Sequence, residues 1–409
     1  MTFSSPPVRW VVRLLLCLAW STLAAAQDGP RPLFPTLEPP PPVVLTPPEP
    51  MPEPPAPIEV MPLPEPTAAG IGDTEAETSL RGPLWSGTGP AGLEGLLARL
   101  PDQARLPSLR RLQRLLLQAP GPAGGDPAVF TARVEKLIDM GEPDAAAALA
   151  ALAPAGEAPV ARIDAALAAD QLEPLCTALE NVPPERRNAL ALVCAAVDKD
   201  PDRVELAVSL AAEAGSPLDP SLIDLARATA TGQRLTLKSP SAGSAPTLPL
   251  LARAPLALDP DLAASSAPAA RRVLGTNPNV AAGVRDAARG PEAPAPKPLP
   301  GPDGLRPDLL PIWAALTEAS GGEVPAALWP EVGAGKGTLP SLFYWRGLEA
   351  ARAGGTRGEV LLFALLLLDG APENAAPVTL HAALGGLRQI GLADEAREIA
   401  MATAPLVGL

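Results

Sequence analysis

Aromatic side chains are scarce, 3% of 409 residues with a single Tyr, and His381 is the only histidine. One histidine excludes a two-histidine metal site and any site needing a second imidazole, and it lies far in sequence from every cysteine. With few rings to fill a core, the 47% hydrophobic content is mostly Ala and Leu, which predicts closely packed helices. Basic charge is also short: 32 Lys and Arg against 45 Asp and Glu give a formal net charge of −13 and a pI near 4.7. Such a surface repels phosphates and anionic headgroups, which argues against nucleic acid and membrane-surface partners. Past the N-terminus no apolar run reaches the roughly 20 residues that cross a bilayer; Val360 to Leu368 is the longest that stands out. No stretch alternates well enough to be a strand.

What is present begins with an export signal. Arg9 and Arg13 precede the apolar run Leu14 to Trp20, and Ala24-Ala25-Ala26 supplies small residues at the positions a signal peptidase reads, so residues 1–26 read as a signal peptide cleaved between Ala26 and Gln27. The alternative is an uncleaved anchor, for which Leu14 to Ala26 is too short. Leu16 stands where lipoprotein processing at Cys17 wants a small residue. After cleavage no stable membrane insertion is expected.

Proline and glycine, 56 and 35 residues, are concentrated unevenly. Residues 27–79 read as a Pro-rich disordered segment, with phrases such as Pro39 to Pro42 that leave polyproline II as the main option; it serves as a solvated spacer or as a docking peptide. Residues 80–232 read as an N-terminal helical-hairpin array. Phe130, Val134, Leu137 and Ile138 share one helical face, Gly141 stops that helix, and a second runs from Asp144 to Leu152. The spacing i, i+3, i+4, i+7 recurs at Leu172, Leu175, Cys176 and Leu179, at Leu190, Val193, Cys194 and Val197, and at Val204, Ala207, Val208 and Ala211 behind Asp200 as N-cap. Residues 233–302 read as an irregular Pro/Ser-rich helical middle and linker, and 303–409 as a C-terminal helical array in which Gly391 echoes Gly141.

Several residues invite a chemical reading. With the signal removed, Cys176 and Cys194 remain, each on an apolar stripe and symmetric about the Pro183-Pro184 turn, which predicts a disulfide in an oxidising compartment; the alternative is two thiols packed as small hydrophobes. Gly333 to Thr338 resembles a phosphate loop but lacks a preceding strand, has Pro330 where a glycine is needed, and reads as an inter-helix loop. Glu135, Glu142, Asp164, Glu318 and Glu349 are available for paired-carboxylate chemistry, though nothing in sequence separates them from solvated helix faces. Phe343-Tyr344-Trp345, with Leu342 and Leu348, reads as a core face, or as a platform for peptide or glycan. No metal or cofactor site can be written.

The phrases Leu137 to Ala146 and Gly391 to Arg397 resemble tetratricopeptide-like hairpins without that consensus's bulky aromatics. The order of parts resembles a group of uncharacterised secreted proteins of alphaproteobacteria, some labelled antifreeze glycopeptide-like. That resemblance implies a fold and a compartment, and no activity. The expectation is an all-α protein, an α-solenoid of stacked helical hairpins, in the periplasm or secreted. It would act without catalysis as a scaffold or adaptor for an envelope protein. The rival is a cell-wall glycan enzyme or accessory, related in architecture to the superhelices of lytic transglycosylases.

Overall fold

Proline, which would break a helix interior, opens helices here. The computed structural model describes residues 71–89, 91–122, 127–154, 156–290, 295–331 and 339–409. Among them the helices starting at Pro107, Pro127, Pro143, Pro159, Pro184, Pro201, Pro220, Pro260, Pro268 and Pro377 all place proline in the first turn, where its missing N–H has no partner to lose. Asp73, Asp200, Asp219 and Asp259 cap their helices by accepting from a backbone N–H one turn in. The stops are equally local: Gly141, Gly215 and Gly391 take left-handed φ at helix ends, and Asp170 and Lys199 do the same without being glycine.

In chain order the described helices are α1 (Thr74–Ser79), α2 (Leu93–Leu97), α3 (Pro107–Gln118), α4 (Pro127–Asp139), α5 (Pro143–Ala151), α6 (Pro159–Ala168), α7 (Leu172–Thr177), α8 (Pro184–Val197), α9 (Pro201–Glu213) and α10 (Pro220–Thr231). Then come a two-residue strand β1 (Leu235–Thr236), α11 (Leu248–Leu251) and β2 (Leu256–Ala257), which pairs in parallel with β1. They are followed by α12 (Pro260–Ser265), α13 (Pro268–Thr276), α14 (Ala282–Arg289), α15 (Leu310–Ala319), α16 (Leu342–Gly354), α17 (Arg357–Leu368), α18 (Pro377–Gln389) and α19 (Ala393–Thr403). Among the described residues the fold is all-α apart from that one pair of short strands.

Sequential neighbours pack: α4 on α5, α5 on α6, α8 on α9, α16 on α17, α17 on α18 and α18 on α19. Two further sets of contacts join distant parts of the chain. The stretch 233–290 turns back, with α11 against α6, α8 and α10, and α13 against α4. At the other end α3 lies against α17 and α19, while the backbone N–H of Gly358 donates to the Leu84 carbonyl at 2.7 Å and Arg357 donates to the carbonyl of Leu80. All described residues belong to one compact unit. The apolar run Val360 to Leu368 is buried throughout, the inner helix among α3, α16 and α18. No described helix is long and apolar enough to cross a membrane.

Two boundaries and one helix face differ from the sequence reading. The signal peptide, its Ala26–Gln27 cleavage point and the Pro-rich phrases to Pro66 lie outside the described residues, but α1 falls inside the stretch 27–79 assigned to disorder: Asp73 caps it, and Ala76 and Leu80 are buried. The apolar stripe Leu172 to Leu179 is not one helix. Thr177 donates its hydroxyl to the carbonyls of Glu173 and Pro174, α7 ends there, and Leu179–Asn181 form a tighter 3₁₀ turn. Leu342 does not share a core face with Leu348, since six residues leave a helix about 120° short of two full turns. Leu342 and Phe343 are exposed, and the inner face of α16 is Tyr344, Leu348 and Ala351.

Candidate functional site

The segment around the two cysteines is tied down by a covalent bond and by side-chain hydrogen bonds. Cys176 on α7 and Cys194 on α8 are joined by a disulfide with a Cα separation of 5.7 Å. Arg187, in the first turn of α8, donates to the Val182 carbonyl at 2.9 Å and to that of Glu180, and Val182 is buried beneath them. Small residues face this pinned hairpin, Ala147, Ala150 and Ala151 on α5 and Ala166 on α6, recurring at helical spacing together with Ile163 on α6. Between these helices and Pro174, Leu175, Val182 and Pro183 a groove of about 460 Å³ stays open. Only Glu157 and Arg162 bring charge to its lining. Such a surface offers shape and apolar contact to a ligand and has no set of titratable groups converging on one point.

Of the carboxylates singled out in sequence, Glu135 and Asp164 lie near each other and the others are dispersed. Asp164 is buried and gripped by both arms of Arg186, at 2.8 and 2.7 Å. Glu135 lies in the field of that pair; burial pushes its carboxyl above the usual range, and Asp164 and Asp139 push it further against the pull of Arg186. Glu142 sits 3.7 Å from Arg114. Glu349 accepts from the Trp345 indole at 2.9 Å and pairs with Arg346 along α16. Glu318 on α15 meets His381 of α18, Oε2 to Nδ1, at 2.9 Å on an exposed surface, where Arg388 donates to the Glu318 carbonyl. Thus the lone histidine ties two helices together at a surface. Phe343 packs edge-on against Tyr344 and Phe363. The glycine-rich run from Gly333 to Thr338 lies outside the described residues.

Two cations that shape this region escaped the sequence reading because they lie between the apolar positions of α4. Arg133 is 2% exposed and donates to the carbonyls of Leu117 at 2.6 Å, Ile71 at 2.9 Å, Gln118 at 3.2 Å and, closer still, Ala119. Three of these belong to the end of α3, whose last carbonyls have no partner within the helix. Burial pulls the guanidinium down to about 9. The carbonyls facing it from the negative end of a helix keep the charged form favoured at neutral pH. Lys136, also buried, donates to the Leu100 carbonyl at 2.9 Å and to Asp102 at 2.7 Å. The only signal for either was a cation set between the apolar positions of a helix that also carries Glu135 and Asp139.

No protein-family model, curated protein or solved structure matches the chain. The class that the geometry defines is an all-helical protein whose hairpins are clamped by buried cations and by one disulfide, with an apolar groove beside the latter.

Proposed function

We propose that the protein is exported and acts as a non-catalytic scaffold or adaptor, a helical-hairpin array of solenoid type that holds an envelope protein by its surface. The observation that carries this reading is the open groove beside the Cys176–Cys194 hairpin, apolar and free of converging acid and base groups. A covalent staple on a surface hairpin fits an oxidising compartment, and it keeps one wall of the groove in place at little cost in ordering when a partner docks. The N-terminal export signal gives the route.

Ala166 is half-buried on the groove wall, so Ala166→Trp fills the groove without entering the core. Captured from an envelope fraction with the intact protein as bait, a partner should be retained by the parent chain and by an Ala148→Trp control on the exposed face of α5, and lost with Ala166→Trp. Equal recovery with both variants would remove the groove from the account.

One observation favours the rival, a cell-wall glycan enzyme or accessory: Glu135 binds its proton more tightly than an ordinary carboxylate and lies near the hydrogen-bonded Asp164–Arg186 pair, a setting that suits acid catalysis. Glycan hydrolysis by the purified protein that disappears in Glu135→Gln would establish that reading and end the scaffold proposal.

A further inference from the structure

The composition argues against anionic ligands, yet one cleft is lined by guanidinium groups. It lies where α13 and α14 meet the turn between α4 and α5, encloses about 320 Å³, and has Arg110 from α3, Arg271 and Arg272 from α13 and Arg289 from α14 on its walls. Two of the four are spoken for. Arg272 donates to the Gly141 carbonyl at 3.0 Å and pairs with Asp144 at 2.5 Å, and Arg289 donates to the Gly275 carbonyl at 3.1 Å and pairs with Asp286 at 3.2 Å.

The other two lack a counter-ion among the described residues. Arg110 has only a long contact, 3.4 Å, to the Ala104 carbonyl. Arg271 has no acceptor among the described residues, and its Nε is shielded from solvent without a hydrogen-bond partner there. An unpaired guanidinium N–H removed from water is costly and marks a place where an acceptor is missing. The acids on the same walls do not fill it: Asp102 is held by Lys136 at 2.7 Å, and Glu142 faces Arg114. Burial and then the nearby charge of Arg110 both lower the proton affinity of Arg271, as expected of two cations on the walls of one cleft.

We propose that this cleft is a binding site for a phosphate group, free or as a small monoester, seated between Arg110 and Arg271. The number of acceptors decides the ligand class. A guanidinium presents parallel N–H groups that one carboxylate satisfies with its two oxygens, so two unpaired forks call for an anion with three or four oxygens. The cleft is larger than a phosphate ion, which leaves room for the organic part of a monoester. The general negative charge of the protein then acts as a filter: a ligand must be small enough to sit inside the local positive field, whereas a polyanion meets the acidic surface around it.

Isothermal titration of the full-length chain with inorganic phosphate and with glycerol phosphate, against chloride at matched ionic strength, tests this. Saturable binding is expected with at least one of the two, weakened about tenfold or more in Arg271→Gln and in Arg110→Gln, since each removes a charged donor pair. It should be unchanged in Arg234→Gln, an exposed arginine outside the cleft. Inorganic phosphate binding as tightly as the ester identifies a free-anion site, and tighter binding of the ester identifies a phosphorylated small molecule as the ligand class. Circular dichroism confirms that each variant folds. Should Arg271→Gln not fold, Arg271→Lys keeps the charge, loses the fork and should still weaken binding. Absence of saturable binding, or equal binding by the parent and the cleft variants, overturns the proposal.

Discussion

The hairpins at Gly141 and Gly391 end their first helices in the same way and are then put to different uses. In both, the glycine N–H donates three residues back, to Ile138 or Arg388, and the next residue's N–H donates five back, to Leu137 or Leu387, which is the Schellman closure. Set in register at the glycines, Phe130, Val134 and Leu137 correspond to Leu380, Leu384 and Leu387, and Ala146 and Leu149 to Ala396 and Ile399, all of them buried. Even the surface ties match: Asp144 pairs with Arg272, and Asp394 pairs with Arg81, each arginine arriving from a distant element. The neighbours differ. A Cβ on Gly141 would stand 3.0 Å from the Pro268 carbonyl oxygen, because the backbone at the start of α13 rests on this turn, while at Gly391 it would meet only the Arg81 side chain at 3.8 Å. The interiors differ too, Arg133 and Lys136 occupying the places of Ala383 and Gly386. Local pattern makes the turn, and what packs on it decides whether the turn is a junction or an end.

Removing the buried cation should widen that difference most. Arg133→Met leaves the carbonyls of Leu117, Gln118, Ala119 and Ile71 buried without a donor, and a loss of about 3 kcal/mol or more is expected in chemical denaturation. Ala383→Met, at the matching place, tests overpacking alone, at about 1–3 kcal/mol. A covalent tie gives a third reference: Cys194→Ser should cost about 3 kcal/mol, since the bond closes a loop with a sequence separation of 18. At the turns, Gly141→Ala pays for left-handed φ and for the close approach to α13, about 2–3 kcal/mol, and Gly391→Ala only for φ, about 1 kcal/mol.

Acid gives the smallest effect and the cleanest sign. On α4 burial raises the proton affinity of Glu135, with Asp164 adding to it, and of Asp139, with Asp102 adding to it and Lys136 opposing; the matching places on α18 are Gly385 and Gln389, which do not titrate. Both carboxyls hold a proton more readily in the folded state than in the unfolded one. Their contribution therefore favours folding while they are protonated and fades as pH rises from the ordinary carboxylate range through their raised values. A Glu135→Gln, Asp139→Asn chain should lose this slope and gain stability at neutral pH relative to the parent, as followed by thermal unfolding between pH 4 and 7. An unchanged slope would remove these two groups from the pH response.

How much of this was written in the sequence follows the same division. The stops of both hairpins and the face of the first were legible because a helix stripe and a glycine stop are local signals within about ten residues. The proposed Cys176–Cys194 partnership was legible for a similar reason, two stripes set symmetrically about Pro183-Pro184. Hidden were the contacts made to backbone. Arg133 reads as one of several charged residues on an amphipathic helix, and its partners are carbonyls, which leave no residue-type signature. The return of 233–290 onto α4, α6 and α8 was hidden because its helices are short and broken by Pro and Ser, so that tertiary contact, more than intrinsic periodicity, stabilises them. The arginine cleft was hidden twice, by net charge and by distance, for Arg110 and Arg271 meet only when that return is made.

Hydrogen exchange on the two glycine variants measures the return directly. In Gly141→Ala the amides of α13, Pro268–Thr276, should lose protection while those of α15 to α19 keep theirs, and in Gly391→Ala the α13 amides should be unaffected. Equal protection of α13 in the parent and in both variants would show that it does not rest on the first hairpin, and would contradict the junction on which the cleft depends.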